Sequence, residues 1–254
     1  MKKVVVLIFM GFLTLFAGTV LAQSAGEWLA KGDEAFSKFN NEQALEFYQK
    51  ALQADPDNYE AAWKLSRAYV DVGENIPDKD KRAQYYRKAE EFARKAVEID
   101  SMGSKAHLYL SIALGRVALD AGKKEQVRLS KEIKAEVDKA LALDPNDDIA
   151  LHVLGRWNRK MATLGWVQKK FADMFLGGVP KDASLENAEK CFRKAIEINP
   201  GHINHHLELA LTLEIMDRKQ EALEIYRKIL EMPNKDADDE HHKEEAKKRL
   251  KKQE

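Results

Sequence analysis

The side chains with most chemistry to offer in this 254-residue chain are seven histidines, a single cysteine and a set of arginines. His202-x-x-His205-His206 and His241-His242 are the clusters with metal-ligand character. Ligands three apart share one face near a helix start, but no paired carboxylates or cysteines complete a site. Loop and tail histidines of adventitious affinity account for them, so the expected metal content is none. Cys191 stands beside Phe192 in an apolar helical pattern, the setting of a buried inert thiol rather than a nucleophile. No phosphate-binding glycine loop, His-Glu-x-x-His pattern or serine elbow is present. The expectation is therefore no enzyme and no cofactor. Arg67, Arg116 and Arg156 are different: guanidinium forks grip carboxylates and phosphates without catalysing anything. Whether they act together depends on what positions them.

A repeat positions them. Ala44-x-x-x-Tyr48-x-x-Ala51-x-x-x-x-Pro56 returns as Ala188-x-x-x-Phe192-x-x-Ala195-x-x-x-x-Pro200, with looser copies at Ile133, Val137, Ala140, Pro145 and at Ala222, Tyr226, Ile229. Small residues at fixed places let two antiparallel helices approach, and large ones fill the space between. This is the signature of the tetratricopeptide repeat, whose hairpins bury faces that their neighbours supply. The spacing predicts an all-α superhelix of about five helical hairpins. Repeats fall at about 25–58, 59–102, 104–147, 148–202 and 203–234, with long insertions in the second to fourth and a capping helix over 236–252. Ser24 with Glu27, Asn40 with Gln43 and Asp57 with Glu60 have capping-box spacing for the first three helices. Gly73-Glu74-Asn75-Ile76-Pro77 interrupts the second repeat.

The ends and the charge bound the compartment. Lys2 and Lys3 precede a run from Val4 to Leu21 that is apolar apart from Thr14 and Thr19, and Val20-Leu21-Ala22 has the small-x-small pattern of signal-peptidase sites. Residues 1–22 read as a signal peptide cleaved before Gln23, which makes the protein periplasmic or secreted. The same run is just long enough to span a bilayer, so a membrane anchor over residues 4–22 is the alternative. Residues 23–254 then form one repeat domain with 40 basic against 42 acidic side chains. That balance gives no field for nucleic acid. One cysteine excludes an internal disulfide.

The inner surface of such a superhelix is lined by the first helix of each repeat. The groove positions are Trp63, Lys64, Arg67, Tyr109, Ile112, Arg116, Arg156, Arg159, Leu207 and Leu211. Apolar surface beside guanidinium forks suits a peptide with apolar anchors and a carboxylate, or an amphiphile with an anionic head. The competing arrangement pairs the arginines with Asp71 or glutamates. Trp166, Phe171 and Phe175 recur on one face of a helix predicted over 164–176, which Gly177-Gly178 ends; it serves as a lid or as permanent core.

The oversized middle repeats carry a resemblance. Trp63-x-Leu65-x-Arg67-Ala68-Tyr69 followed by a long insertion resembles the regulator of microtubule dynamics family, as do Leu154-Gly155-Arg156-Trp157, Leu164-x-Trp166-x-x-Lys169-Lys170-x-Ala172 and Gly177-x-x-Pro180. The resemblance covers about residues 60–250. It implies an all-helical domain that acts by binding, linked in eukaryotic members to membrane contacts and microtubules. An exported, bacterial chain would not meet microtubules, so only the fold is expected to carry over. The function expected is a scaffold that holds a protein or peptide partner in the groove; the alternative is a carrier or sensor of an anionic amphiphile or lipid.

Overall fold

The computed structural model describes residues 24–165, 169–170, 173–174, 178 and 183–253. Eleven helices are found among them: α1 (Ala25–Ser37), α2 (Asn41–Ala54), α3 (Tyr59–Glu74), α4 (Lys79–Ile99), α5 (Ser104–Ala118), α6 (Lys123–Leu143), α7 (Asp148–Ala162), α8 (Leu185–Ile198), α9 (Ile203–Ile215), α10 (Lys219–Glu231) and α11 (Asp239–Gln253). They pack as consecutive hairpins α1/α2 through α9/α10, each laid on the next, with α11 across the last. No described helix is long and apolar enough to cross a membrane. The predicted signal peptide falls on residues outside those described.

The small-and-large pattern does what its spacing requires. Ala44, Tyr48, Ala51, Ala188, Phe192 and Ala195 are all fully buried, as are Val137, Ala140, Ala222, Tyr226 and Ile229. The Tyr48 and Phe192 rings press on glycines of the preceding helix. A Cβ at Gly32 would stand 2.4 Å from Tyr48 Cε1, and one at Gly155 would stand 2.7 Å from Phe192 Cε1. Each of these two hairpins is thus closed by a ring seated on bare backbone.

Local sequence fixes the helix ends. Ser24 and Glu27 form the expected capping box, and the Asn40 side chain accepts from Gln43 N. The third helix departs from expectation by one residue: Asn58 caps α3 by accepting from Ala61 N at 2.9 Å. Glu60 instead pairs with Lys64 at 2.6 Å. The added length of the second and third repeats goes into their second helices, since α4 and α6 each run 21 residues against 14 in α2. Gly73 and Glu74 do not break α3 but lie inside it, because a Cβ at Gly73 would meet Tyr86 Cε1 at 2.9 Å. That glycine marks a close helix approach, not a loop.

Asp147 shows how much one cap can hold. Its Oδ1 accepts from Ile149 N and Ala150 N at 3.0 Å, its Oδ2 accepts from Lys105 Nζ at 2.7 Å, and its side chain is 1% exposed. Asp147→Ala is expected to cost about 2 kcal/mol, the upper end for a lost N-cap, because two buried N–H donors and a lysine lose their acceptor together. A urea unfolding midpoint unchanged by the substitution would remove that account.

Candidate functional site

The first helices of the repeats, together with α6, line a concave cavity of about 1870 Å³. Arg67, Val70, Asp71 and Glu74 enter it from α3, at the helical spacing that keeps them on one face. Tyr109, Ile112 and Arg116 enter from α5, Arg156 and Arg159 from α7, Leu207 and Glu208 from α9. The fourth side was not expected: residues 235–239 and the start of α11, including His242 and Glu245, line the same cavity. Seven of the ten predicted groove residues are cavity wall. Trp63, Lys64 and Leu211 are not. Trp63 sits nearer the start of α3 and stacks on Tyr109, centroids 5.2 Å apart and planes 8° apart. Lys64 is buried and bonds Asp33 at 2.7 Å, and Leu211 packs against the C-terminal core. Repeat numbering aimed one turn too early on α3. The lid residues Trp166, Phe171 and Phe175 lie outside the described residues.

The arginines are not free cations. Arg67 is built into the packing: its guanidinium carbon lies 3.6 Å from the Phe36 ring centroid, and it donates to the Tyr48 hydroxyl at 3.1 Å. Arg116 of α5 pairs with Glu74 of α3. Arg159 pairs with Glu208 of α9 and donates to the Glu208 carbonyl at 3.0 Å, while Arg156 Nε stands 3.4 Å from the same carboxylate. The groove that positional reading made basic is therefore neutralised by acids on α3, α9 and the tail. Burial pushes Asp71 up to about 7, with Glu74 and Asp238 reinforcing and Arg67 opposing. Glu74 is likewise raised, by burial first, with Arg116 opposing and Asp238 reinforcing. Two donors remain: Arg67 Nε and Arg116 Nε are buried with no acceptor among the described residues.

The histidines dismissed on sequence converge. His205 Nδ1 lies 2.9 Å from His152 Nδ1 of α7, and His205 Nε2 lies 3.0 Å from Asp148 Oδ2. With Asp148 ionised, His205 Nε2 donates to it, and one of the two δ nitrogens donates to the other. Burial would raise Asp148, but hydrogen bonds from His205 and Asn199 prevail and hold it at about 2. His202 stacks on His205 with centroids 4.1 Å apart and planes 7° apart. Its Nε2 lies 3.8 Å from Asp236. His242 of α11 stands 3.9 Å from the buried Asp239. Burial pushes His152 well below the usual histidine range, takes His202 down to about 4 and lowers His242. Among the described residues no three His, Cys, Asp or Glu are grouped so that they could hold a metal ion. Cys191 is half-buried, and burial raises its thiol to about 11, far from a nucleophile's range.

Glu74, Glu208, Asp238 and the assembled histidines were missed by positional reading. One signal was available. Glu208 is a lone carboxylate inside the apolar run Leu207–Leu213 of α9, and a charge placed there needs a buried partner. The tail's approach has no such marker, since Asp236 to Glu240 reads as a solvated acidic helix start.

The chain has known relatives. A family model described as Regulator of microtubule dynamics protein 1-3 matches residues 28–254. Regulator of microtubule dynamics protein 3 of Bos taurus is 30% identical over 173 residues, 68% of this chain and 36% of its own length. Regulator of microtubule dynamics protein 1 of Caenorhabditis elegans is 26% identical over 213 residues, 84% of this chain and 93% of its own. This chain spans 36–38% of the length of the protein 3 relatives from Bos taurus, Rattus norvegicus and Xenopus laevis. Among solved structures, a thermophilic TPR protein from Thermus thermophilus aligns with a TM-score of 0.64 at 19% identity, covering 87% of this chain and 98% of that one. That likeness is one of fold: a superhelix of tetratricopeptide hairpins.

Proposed function

Since the chain belongs to the regulator of microtubule dynamics protein 1-3 family, we propose that it works as a non-catalytic repeat scaffold, gripping an extended segment of a protein partner in its concave groove. Microtubule dynamics is named for the relatives; what is carried over here is the shared repeat domain. The observation that carries the proposal is the cavity's size and wall together. At about 1870 Å³ it exceeds the 300–1,000 Å³ or so of a small-molecule pocket, which favours a peptide over a single amphiphile. Phe39, Leu119 and Ile215 expose at least half of their surface on its wall, as anchors for apolar side chains. Arg67 Nε and Arg116 Nε offer buried N–H donors to a partner's carbonyl or carboxylate. Phe39 takes φ 60 just after the α1 C-cap, where Asn40 N donates to the Ala35 carbonyl at 3.0 Å, and this helix stop turns its ring outward.

We further propose that residues 1–22 direct export and are removed, so that the partner is met in the periplasm or outside the cell. A denatured mass beginning at Gln23 is the expected result, and a retained segment would instead make the chain membrane-anchored. For the groove, a photoreactive residue introduced at position 156 is expected to give a discrete protein adduct, reduced at least about fivefold by Phe39→Ser with Ile215→Ser. Both side chains are surface-exposed, so the fold should tolerate them. A small molecule extracted from the purified protein, with no protein adduct at position 156, would replace the scaffold by the carrier.

A further inference from the structure

The histidine cluster joins three elements that the repeat stack alone would not lock together. His152 and Asp148 belong to α7, His202 caps α9 and His205 lies within it, and His242 belongs to α11. From α10 into the start of α11 runs the 235–239 segment, where Asp239 Oδ2 accepts from Lys235 N and Asp236 N at 2.7 and 2.8 Å. That segment and the start of α11 form the fourth wall of the groove. We propose that His152, His202 and His242, with His205 packed beside the first two, form a proton-operated clasp: with those three rings neutral it holds the C-terminal helix against the groove, and their proton uptake releases the helix and opens that wall.

Geometry supplies the reason. An imidazolium needs acceptors for both N–H groups, yet His202 Nδ1 is buried with no hydrogen-bond partner among the described residues, and His242 Nδ1 faces only Asp239 Oδ1, at 3.9 Å and beyond hydrogen-bond reach. Charging His202 would also set its ring 4.1 Å from the His205 ring that already donates to Asp148. Every neighbouring element contributes charge. On α7, Arg156 and Arg159 face His152 and oppose a proton, while Asp148 favours one on His202. On the tail, Asp238 and Asp239 favour charge at His242, as does Glu208 of α9, and His241 opposes it. Asp236 faces His202 and His205. Burial outweighs the favourable acids at His202 and His242, and at His152 burial and the neighbouring cations act together. The sign follows: a folded value near 4 against an ordinary 6.5 leaves the closed state intact above about 6.5 and weakens it as pH falls towards 4. Glu74 of α3, raised by burial first, responds the other way: it keeps its proton in acid and loses it as pH rises, so acid opening must come from the histidines.

The test reads the helix directly and needs no partner, so it stands or falls apart from the groove proposal. Hydrogen exchange corrected for intrinsic rate is measured over residues 236–250 and over 59–70 at about pH 7 and about pH 4.5. Protection of 236–250 is expected to fall at least about tenfold in acid while that of 59–70 holds. His202→Gln with His242→Gln should flatten the response. No selective fall in the wild type, or an equal fall in that variant, would overturn the clasp. Should the double variant fail to fold, imidazole carbon shifts of the wild-type protein supply the second reading. Proton uptake by the cluster is expected at the same midpoint as the loss of protection, and midpoints more than about one pH unit apart would overturn the proposal equally.

Discussion

Replacing Phe192 by alanine is expected to cost about 3–5 kcal/mol, the largest effect of any single truncation in the fourth hairpin. The ring is fully buried, seated on Gly155 and edge-on to His152 at 5.6 Å. Its removal leaves a void between α7 and α8 that neither helix can fill, because the next repeats hold both in place. Contacts in a repeat stack are made only with neighbours, so the loss should appear first as exposure of α7 and α8 and only then as global unfolding. The glycine beneath tests the geometry from the other side. Gly155→Ala would bring a methyl to 2.7 Å from Phe192 Cε1 and should cost about 1–3 kcal/mol by overpacking. Combined, the two should cost at least about 1 kcal/mol less than their sum, since the methyl then enters space the ring has left. Additive losses in urea unfolding would mean that ring and glycine do not meet.

That pair also shows how much of the packing is legible in the residues alone. Ala188, Phe192 and Ala195 announce a buried seam because small residues at one face and a ring between them solve a packing problem that has few other answers. The family's hairpin fold follows from the same seam, and its match over residues 28–254 agrees. Gly73 misled for a physical reason. A glycine followed by Pro77 suggests a break, yet close approach to Tyr86 asks for the same residue within a helix. The groove was legible by half. Position along the repeat found Arg67, Arg116, Arg156 and Arg159, but charge partners are set by which helices meet across the concavity, and that depends on how far the stack turns. Glu74 reaches Arg116, and Asp238 reaches Glu74 from residues distant in sequence. The histidines escaped for the same reason: His152 and His205 are 53 positions apart, and neither one has a local pattern that names the other.

Glu208→Ala is the second large effect expected, at about 3 kcal/mol. The Glu208 side chain is 8% exposed and that of Arg159 is 16%, so deleting the carboxylate strands a buried guanidinium, a loss that runs to about 3–5 kcal/mol. The low end applies because Arg159 keeps the Glu208 carbonyl at 3.0 Å and the cavity admits water on one side. Arg156 should behave otherwise. It is 44% exposed, and its Nε is 3.4 Å from the shared carboxylate, so Arg156→Met is expected to cost under about 1 kcal/mol. The contrast separates two roles on one helix. Arg159 fixes α7 to α9 and so keeps the groove's wall in place, whereas Arg156 is expected to part from Glu208 without loosening the fold. Urea unfolding of the two variants orders them. If Arg156→Met proved the costlier, Arg156 rather than Arg159 would be the strut between the two helices.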